Sequence, residues 1–350
     1  LKTYQENRTE GVLAGWVSYD FARMNPRFRG LGPPDCEWPL VLLGHYSEGQ
    51  AVEPADLSTG PPAELGTFTP WISEKQYENR IRSIQQLIRR GYLYQLNFSQ
   101  RFRASVQGTL RSLLGVIGGE SLPPHSVYGS WNDREFLSLS PERFFEVDGR
   151  TLRTQPIKGT RPRSPDPEED RSLRQELRDS EKDSAEHVMI VDLERNDLNR
   201  VCRSGSVHVP ERKVVRSFPT VHHLVSTVQG ELRDGVGFSD LLRELFPGGS
   251  ITGCPKPITL RVIDQLEERF RELYTGTIGY WDRNREYADW NIAIRTLVRT
   301  GNHVSWDSGG GIVIDSRPDR EYRESFDKVA LIQTIRDRLR TSPPAYQGGS

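Results

Sequence analysis

This 350-residue sequence contains few cysteines. It has three cysteines, Cys36, Cys202 and Cys254, and none of them has CxxC spacing. An odd number of widely spaced cysteines argues against a disulfide framework and against a cysteine-based metal site. The cysteine content therefore favours a cytoplasmic protein.

Long apolar runs and an excess of one charge sign are also missing. No stretch of the sequence is long enough to span a bilayer, and no signal peptide is visible after the first residue, Leu1. The 47 basic side chains balance the 48 acidic ones to a formal net charge of −1, which does not suggest a nucleic-acid-binding surface. We therefore expect neither a membrane nor a nucleic acid as a partner.

The pattern of apolar residues predicts an α+β protein. VLAGWVSY and LVLLGHY near the start have the composition of strands, as do YTGTIGYW, YADWNIAIRTLV and HVSWDSGGGIVI near the end. Ser73 and Gln76 form a capping-box pattern before a helix that should end at Gly91, and a last helix should begin near Pro318. Because strands and helices do not alternate regularly, α+β is favoured over a doubly wound parallel sheet.

Two acidic pairs have helical spacing. Asp183 and Glu186 are three residues apart in a predicted helix, and Glu321 and Glu324 repeat that spacing in the last helix. If the fold brings the pairs together, they supply the oxygen ligands that Mg²⁺ prefers. Taken alone, such pairs more commonly belong to a solvated helix face.

The stretch PIKGTRPR, Pro156 to Arg163, has the composition of a turn. Its unusual residue is Lys158, directly before the glycine. This amine could be solvated at the surface, could bind an anionic ligand or could act as a nucleophile.

Other residues are suited to anion binding or acid–base chemistry. Lys158, Lys256 and Arg295 could recognise a carboxylate, although Arg295 could equally be a strand residue that faces solvent. The glycines of FPGGSITGCPK and GGGIV would let the backbone approach a ligand, or they could form structural turns. Glu142 follows a proline at a strand end and could be a general acid. Of the adjacent histidines in PTVHHLV, at most one can enter a given site.

Together these stretches resemble the chorismate-utilising enzymes, the family of anthranilate synthase component I, aminodeoxychorismate synthase component I, isochorismate synthase and salicylate synthase. The matching stretches follow the family's order: LYQLNFSQRF, LSPERFF, PIKGTRPR, DSAEHVMIVDLERNDLNRV, FPGGSITGCPK, YTGTIGYW, IAIRT, GGGIVIDS and EYRESFDK. The resemblance implies large, mostly antiparallel sheets in a two-lobed sandwich with helices packed outside. It also implies that residues 1–70 are a remnant of the N-terminal region, that 71–340 form the catalytic domain and that 341–350 are a flexible tail.

The resemblance implies a Mg²⁺ site. Glu186 and Glu324 would be the inner carboxylates, and Asp183 and Glu321 would act from close by or through water. The family usually has glutamate where this chain has Asp183, and the shorter side chain favours a contact through water. The metal would hold the ring carboxylate of chorismate.

The resemblance also assigns substrate contacts. Arg295, Tyr274 and backbone around Gly311 would bind the enolpyruvyl carboxylate. Glu142 would protonate the departing C4 hydroxyl. The remaining residues would line the pocket or pack beside the ring: Gly159, Thr160, Thr252 and His223.

Two positions indicate the branch of the family. Members that add water have a lysine where this chain has Gln95, and glutamine cannot be that base. Anthranilate synthases resemble PIAGT at the second position, whereas aminodeoxychorismate synthases resemble PIKGT, as here.

A lysine at position 158 could act as a covalent nucleophile. The neutral amine of Lys158 can attack C2 of chorismate and expel the C4 hydroxyl with an allylic shift, after which ammonia attacks C4 and expels the lysine. The product would be 4-amino-4-deoxychorismate, on the route to 4-aminobenzoate and folate. No glutaminase domain is identifiable, so ammonia would come from a separate glutamine amidotransferase subunit or from solution. The alternatives are anthranilate synthase component I and a non-catalytic regulatory or scaffold subunit.

Overall fold

Two antiparallel sheets dominate the computed structural model, which describes residues 10–52, 60–118 and 122–341. Seventeen strands are present in these ranges: β1 (Val12–Val17), β2 (Val41–Tyr46), β3 (Glu64–Leu65), β4 (Thr69–Pro70), β5 (Gln95–Gln107), β6 (His125–Trp131), β7 (Arg134–Ser140), β8 (Arg143–Asp148), β9 (Thr151–Gln155), β10 (Ile157–Pro162), β11 (His208–Ser217), β12 (Val221–Glu231), β13 (Gly253–Cys254), β14 (Thr277–Asp282), β15 (Tyr287–Asn291), β16 (Thr296–Thr300) and β17 (His303–Ile312).

Within the same described ranges, seven α-helices accompany the strands: α1 (Glu74–Arg89), α2 (Leu113–Ile117), α3 (Pro167–Asp179), α4 (Glu181–Asn199), α5 (Phe238–Leu245), α6 (Lys256–Glu267) and α7 (Pro318–Thr341). Short 3₁₀ helices add Tyr19–Met24 and Leu110–Ser112. Among the described residues, no helix is long and apolar enough to cross a membrane.

The larger sheet has nine strands in the order β10-β12-β9-β8-β15-β14-β1-β2, with β11 also paired to β12. The smaller sheet has eight, in the order β13-β5-β17-β16-β7-β6, with β3 and β4 paired to β5. Every strand pairing in the described ranges is antiparallel. The predicted fold class, α+β with large antiparallel sheets, is confirmed.

Apolar side chains from both sheets share the main core. Val17 and Phe145 of the larger sheet and Leu96 and Phe98 of the smaller one are fully buried in one cluster. Burying each such side chain contributes roughly 1.5–3 kcal/mol. The sheets therefore pack as a sandwich, and helices cover outer faces, as where Val329 of α7 joins a second cluster on the smaller sheet.

Helix α1 begins as the sequence predicts. The Ser73 side chain accepts a hydrogen bond from the Gln76 backbone, and the Gln76 side chain accepts one from the Ser73 backbone, which completes the capping box. Tyr77, Ile81 and Ile84 are fully buried on one face. Tyr77 packs 5.0 Å from Phe98 between ring centroids.

A buried ion-pair network joins α6 to strand β5. Arg271 lies just after α6 and is 1% exposed. It donates to Glu267 at 3.0 and 2.7 Å, to the Asn97 and Ile251 carbonyls at 2.8 and 2.9 Å, and to Thr275 at 3.2 Å. All five N–H groups of its guanidinium are therefore used.

The PIKGTRPR stretch is a strand and not the expected turn. Residues Ile157–Pro162 form β10, which pairs with β12. The pairing is shifted between Lys158 and Thr160, where Gly159 is the extra residue of a β-bulge with φ +77°. β-bulges and turns can both have glycine flanked by prolines, so the composition of PIKGTRPR alone did not distinguish them.

The domain boundaries remain predictions. β1 and β2 lie in the same sheet as β14, so residues 12–46 are continuous with strands from the far end of the chain. The predicted tail falls almost wholly outside the described residues.

Candidate active site

The candidate site lies along the free edge of β10. Among the described strands, β10 pairs only with β12, which it shares with β9. β8 pairs with β9 and begins at Arg143 opposite Gln155, so Glu142 lies beside the unpaired edge of β10. The side chains that follow converge on that edge.

The bulge at Gly159 directs side chains to both faces of the edge. Lys158 pairs with Leu224 and Thr160 pairs with the next residue of β12, His223. Adjacent residues of a strand point to opposite faces, so Lys158 and Thr160 also emerge on opposite faces. A Cβ on Gly159 would lie 2.7 Å from Leu177 of α3 and 3.0 Å from the Asp183 carboxyl carbon, so only glycine fits there.

Lys158 is half-buried and faces α4. Within the described residues its ammonium forms no hydrogen bond and no ion pair. Its charge lowers the pKa values of Glu142, Glu186 and Glu324, in each case as one of several effects. These three carboxyls come from different parts of the chain, so the fold gathers them around one unpaired amine.

Helix α4 supplies the first predicted carboxylate pair. Its first turn is capped by Ser180, whose side chain accepts from the Asp183 backbone at 3.2 Å. The Asp183 carboxylate accepts a hydrogen bond from Arg161 at 3.3 Å, and Glu186 lies 4.0 Å from the Lys182 ammonium. Arg161 was not singled out from the sequence, and it forms ion pairs with both Asp183 and Glu176.

Helix α7 supplies the second pair. Lys328, one turn after Glu324, donates to its Oε1 at 2.9 Å and also to the Gly309 carbonyl of β17 at 2.6 Å. Desolvation opposes ionisation of Glu324, but the hydrogen bond and charge of Lys328, together with the charges of Lys182 and Lys158, outweigh it and lower the pKa of this carboxyl. The pKa of Glu321 is raised by burial, to which the charge of Glu324 adds.

The four carboxylates fit a hard cation by donor type. Burial raises the pKa of Glu186, and repulsion from Asp183 and Glu324 adds to the rise, against the opposing charges of Lys158 and Lys182. A divalent cation would remove that repulsion, and carboxylate oxygen is the ligand that Mg²⁺ prefers. In the described part of the chain, no three His, Cys, Asp or Glu side chains are close enough to share an ion. The pairs thus face the site without forming a closed ligand set.

Glu142 is a buried acid between β7 and β8. Its backbone N–H donates to Ser140 Oγ at 3.1 Å and its carbonyl accepts from the Ile292 N–H at 3.0 Å, which fix the residue. Its Oε1 makes no hydrogen bond in the described structure. Burial raises the pKa of the Glu142 carboxyl, and the nearby Ser250 hydroxyl and Lys158 ammonium only partly offset the rise. The environment therefore favours the protonated form that a general acid needs.

Arg295 is a half-buried cation with a positive φ of 50°. Its guanidinium forms no hydrogen bond or ion pair with any described residue. Burial lowers its pKa, and the charge of Glu142 partly counteracts this. A desolvated guanidinium without a partner is suited to binding an anion.

The adjacent histidines separate as expected. His222 turns to α3, where Nε2 lies 3.1 Å from Asp170. His223 Nδ1 lies 2.9 Å from the Thr160 hydroxyl. Burial lowers the pKa of His223 to about 4, and Arg295 adds to the shift. His223 is therefore neutral at pH 7.

Strand β5 and the 246–252 segment form a further wall. Gln95 is 1% exposed, and neither atom of its amide has a hydrogen-bond partner in the described structure. A Cβ on Gly311 would lie 2.3 Å from Gln95 Nε2, so the two residues are in contact. The Thr252 hydroxyl donates to the Gly248 carbonyl at 2.8 Å. Tyr274 is buried with its ring 5.7 Å from the Arg271 guanidinium.

Several residues near the site were not identified from the sequence. His187 is fully buried, its Nε2 lies 2.6 Å from Ser226 Oγ, and burial with Lys158 lowers its pKa to about 4. Burial raises the pKa of Glu194 to about 8, and Thr154 donates to it at 2.5 Å. Both follow Glu186 in the charged helix α4, where spacing does not distinguish buried polar residues from solvated ones.

Lys256 does not take part in the site. Its buried ammonium donates to Asp197 at 2.6 Å and to the Leu245 carbonyl at 3.1 Å. The expectation that it could recognise a ligand carboxylate is therefore wrong, because Asp197 already neutralises it.

A polar cavity of about 580 Å³ lies on the opposite face of the sheet from Lys158. Ile157 and Val225 line it, together with Arg143 and Arg153. Arg143 is already bonded to Asp289 at 3.0 and 2.9 Å. With its charges paired, this cavity does not resemble the candidate site.

Comparison with known proteins identifies relatives across the whole site. Residues 1–334 match the model of the chorismate binding enzyme family. Aminodeoxychorismate synthase component 1 of Escherichia coli strain K12 is 45% identical over 349 residues, covering 92% of this chain and 76% of that protein. Anthranilate synthase component 1 of Saccharolobus solfataricus is 35% identical, covering 93% and 80%. The crystal structure of anthranilate synthase component I from Streptococcus pneumoniae TIGR4 superposes with a TM-score of 0.77 at 27% identity, covering 90% and 79%.

Proposed function

Because this chain belongs to the family of chorismate binding enzymes, we propose that it acts as an aminodeoxychorismate synthase component 1. It converts chorismate and ammonia to 4-amino-4-deoxychorismate, a step towards 4-aminobenzoate and folate. The observation that carries the proposal is the position of Lys158, an amine without a partner among the described residues, beside the buried acid Glu142. The relatives named aminodeoxychorismate synthase component 1 support it further.

Lys158 is the nucleophile of the first step. Its neutral amine forms a bond to C2 of chorismate, the ring double bonds shift, and the bond from C4 to the hydroxyl breaks. Glu142 gives its proton to that hydroxyl, which leaves as water. Burial, which raises the pKa of Glu142, keeps the proton available for this transfer.

Ammonia completes the reaction. It attacks C4, the double bonds shift back, and the bond between C2 and Lys158 breaks with the electron pair returning to the lysine nitrogen. The proton that the alkylated Lys158 nitrogen loses returns Glu142 to its acid form, and a proton of the ammonia added at C4 passes to the departing Lys158 nitrogen. The net change is therefore exchange of hydroxyl for amine with release of water.

Other residues of the chain hold the substrate. Arg295, without an anionic partner among the described residues, binds the enolpyruvyl carboxylate together with Tyr274 and backbone at Gly311. The substrate would lie across the free edge of β10, so that Lys158 meets the ring from one face of the sheet and Thr160 and neutral His223 meet it from the other. Thr252 would line the same pocket. Gln95, whose amide cannot act as a base, does not activate water for addition at C2.

Mg²⁺ is proposed as the cofactor. Glu186 and Glu324 would hold it, with Asp183 and Glu321 close by, and it would neutralise the ring carboxylate of chorismate. A separate glutamine amidotransferase subunit is proposed to supply ammonia, which agrees with the component 1 names of the relatives. The cytoplasmic location stays a prediction.

The test is identification of the product. Purified protein is incubated with chorismate, Mg²⁺ and an ammonium salt, and the products are separated and weighed by mass spectrometry. The expected main product retains the enolpyruvyl group and has an amine in place of a hydroxyl. Anthranilate plus pyruvate as the main products would refute the proposal.

Anthranilate synthesis is the second candidate, favoured by the relative from S. solfataricus. The two readings differ at Lys158. Lys158→Ala should lower aminodeoxychorismate formation by more than about 1,000-fold if the lysine is the nucleophile, whereas an anthranilate synthase should retain its rate. Protein quenched with chorismate and without ammonia should also gain a covalent adduct on Lys158. Failure of both Mg²⁺ and chorismate to bind in calorimetry would favour a non-catalytic scaffold subunit.

A further inference from the structure

We propose that Lys328 is a positioning residue that holds Glu324 in place for the divalent cation by tying it to strand β17. The inference rests on the proposed Mg²⁺ site and adds a residue to which no role has been given. It is distinct from a simple charge effect, because the lysine also contacts the backbone.

The geometry is a bridge between a helix and a strand. Lys328 Nζ donates to Glu324 Oε1 at 2.9 Å and to the Gly309 carbonyl at 2.6 Å. The first acceptor belongs to α7 and the second to β17, two residues before Gly311. One ammonium thus links the carboxylate expected at the metal to the strand that contains Gly311, the residue expected at the substrate carboxylate.

Helix and strand approach closely at this point. A Cβ on Gly310 would lie 3.4 Å from Glu324 Oε1, 3.5 Å from Glu321 Oε2 and 3.8 Å from Lys328 Nζ. Gly310 therefore leaves room for both carboxylates, and the lysine bridge keeps Glu324 against the strand.

The bridge leaves one carboxylate oxygen available. Lys328 takes Oε1 of Glu324, and Oε2 has no hydrogen-bond partner among the described residues. The Glu324 side chain is 54% exposed, so without the bridge it would sample several rotamers in water. Outer partners that orient a ligating carboxylate typically contribute 10- to 100-fold in metal affinity.

Lys182 is a matched control within the same chain. It is four residues from the other inner carboxylate, Glu186, just as Lys328 is four from Glu324. Its ammonium is 4.0 Å from Glu186 Oε1, forms no hydrogen bond to a described residue, and its side chain is 72% exposed. The two lysines have the same charge and helical spacing but differ in the bridge.

The experiment is calorimetric titration of the full chain with MgCl₂ in the absence of chorismate. Lys328→Met should weaken Mg²⁺ binding by about 10- to 100-fold, and Lys182→Met should change it by less than about threefold because it holds nothing in place. If the lysines act only through charge, both substitutions should tighten binding, since each removes a cation near the metal. Unchanged or tighter binding by Lys328→Met would overturn the inference.

Two measurements separate this role from folding and from the proposed function. Thermal unfolding in metal-free buffer should give Lys328→Met a midpoint close to that of the wild type. If the midpoint falls, Mg²⁺ titration of Lys328→Arg distinguishes the bridge from a folding defect, because a guanidinium can donate to both Glu324 Oε1 and the Gly309 carbonyl. Recovered Mg²⁺ affinity supports the bridge, and continued loss refutes it. A wild type that does not bind Mg²⁺ would refute the proposed metal site and this inference together, whereas normal wild-type binding with an unaffected Lys328→Met refutes the inference alone.

Discussion

Arg271 and Arg295 show two ways in which this chain buries an arginine. Arg271 donates all five N–H groups, and although burial opposes its charge, Glu267 and other neighbours raise its pKa. Arg295 has no ion pair or hydrogen bond to a described residue, and burial lowers its pKa. Desolvation acts on both, and only the partners differ.

The difference separates charges that are paired within the fold from charges that have no partner among the described residues. The Arg271 network joins α6, β5 and the segment at Ile251, and it is complete without any other molecule. The candidate site has the reverse character: among the described residues, polar atoms of Gln95 and Glu142 have no hydrogen-bond partner and the Lys158 ammonium has no ion pair. Substitutions in the Arg271 network should lower the free energy of unfolding, and substitutions at the candidate site should weaken substrate binding.

The largest effect on stability should come from Glu267→Gln. The substitution keeps the shape but leaves the buried Arg271 charge uncompensated, which should lower the free energy of unfolding by about 3–5 kcal/mol. Urea denaturation followed by circular dichroism measures the loss. Glu168→Gln, which alters an exposed pair on α3, should have little effect. Equal effects of the two would remove the distinction between the regions.

A smaller effect should follow from acid titration of His223. Its folded pKa of about 4 lies below the unfolded value near 6.5, so the unfolded chain takes up the proton first. Stability is therefore fully present above pH 6.5 and is lost as the pH falls towards 4, by up to about 3 kcal/mol. Denaturation curves of the wild type and His223→Gln across this range should diverge, with the wild type losing more. Parallel curves would show that His223 is not held neutral by the fold.

Arg295→Met should have the smallest effect on the free energy of unfolding. It tests the comparison by measuring stability and substrate binding separately. Removing a half-buried charge that no described residue pairs should leave the free energy of unfolding unchanged or higher. Loss of a charged hydrogen bond of about 1.5–3 kcal/mol should raise KM for chorismate by roughly 10- to 100-fold. Steady-state kinetics and urea denaturation of the same preparation test both. A large loss of stability with unchanged KM would show that Arg295, like Arg271, stabilises the fold.

Much of the fold could be predicted because local chemistry determines it. The Ser73–Gln76 capping box, the strands of the last third and the start of α7 near Pro318 were all recognisable, although YADWNIAIRTLV forms two strands, β15 and β16. β10 was not, because the bulge at Gly159 depends on its pairing with β12, some sixty residues further along the chain.

Prediction of the site from sequence was limited in the same way, by contacts between distant segments. Motif order identified Lys158, Glu142 and the carboxylate pairs as a group, and the structure places them around one strand edge. Sequence could not reveal that Lys256 is neutralised by Asp197 or that Lys328 bridges to Gly309, since both depend on distant segments meeting. Nor could it distinguish buried Glu194 from the solvated residues of the same helix.

The bulge in β10 has a second consequence, for association between molecules. An unpaired strand edge is a template on which another chain can add a strand, and proteins commonly block such edges with bulges, prolines and charged side chains. The free edge of β10 has Gly159 at φ +77°, Pro162 at its end and Lys158 and Arg161 along it. The bulge beside Lys158, the proposed nucleophile, therefore also opposes strand addition by a neighbouring copy, so one extra residue shapes the candidate site and guards the sheet edge.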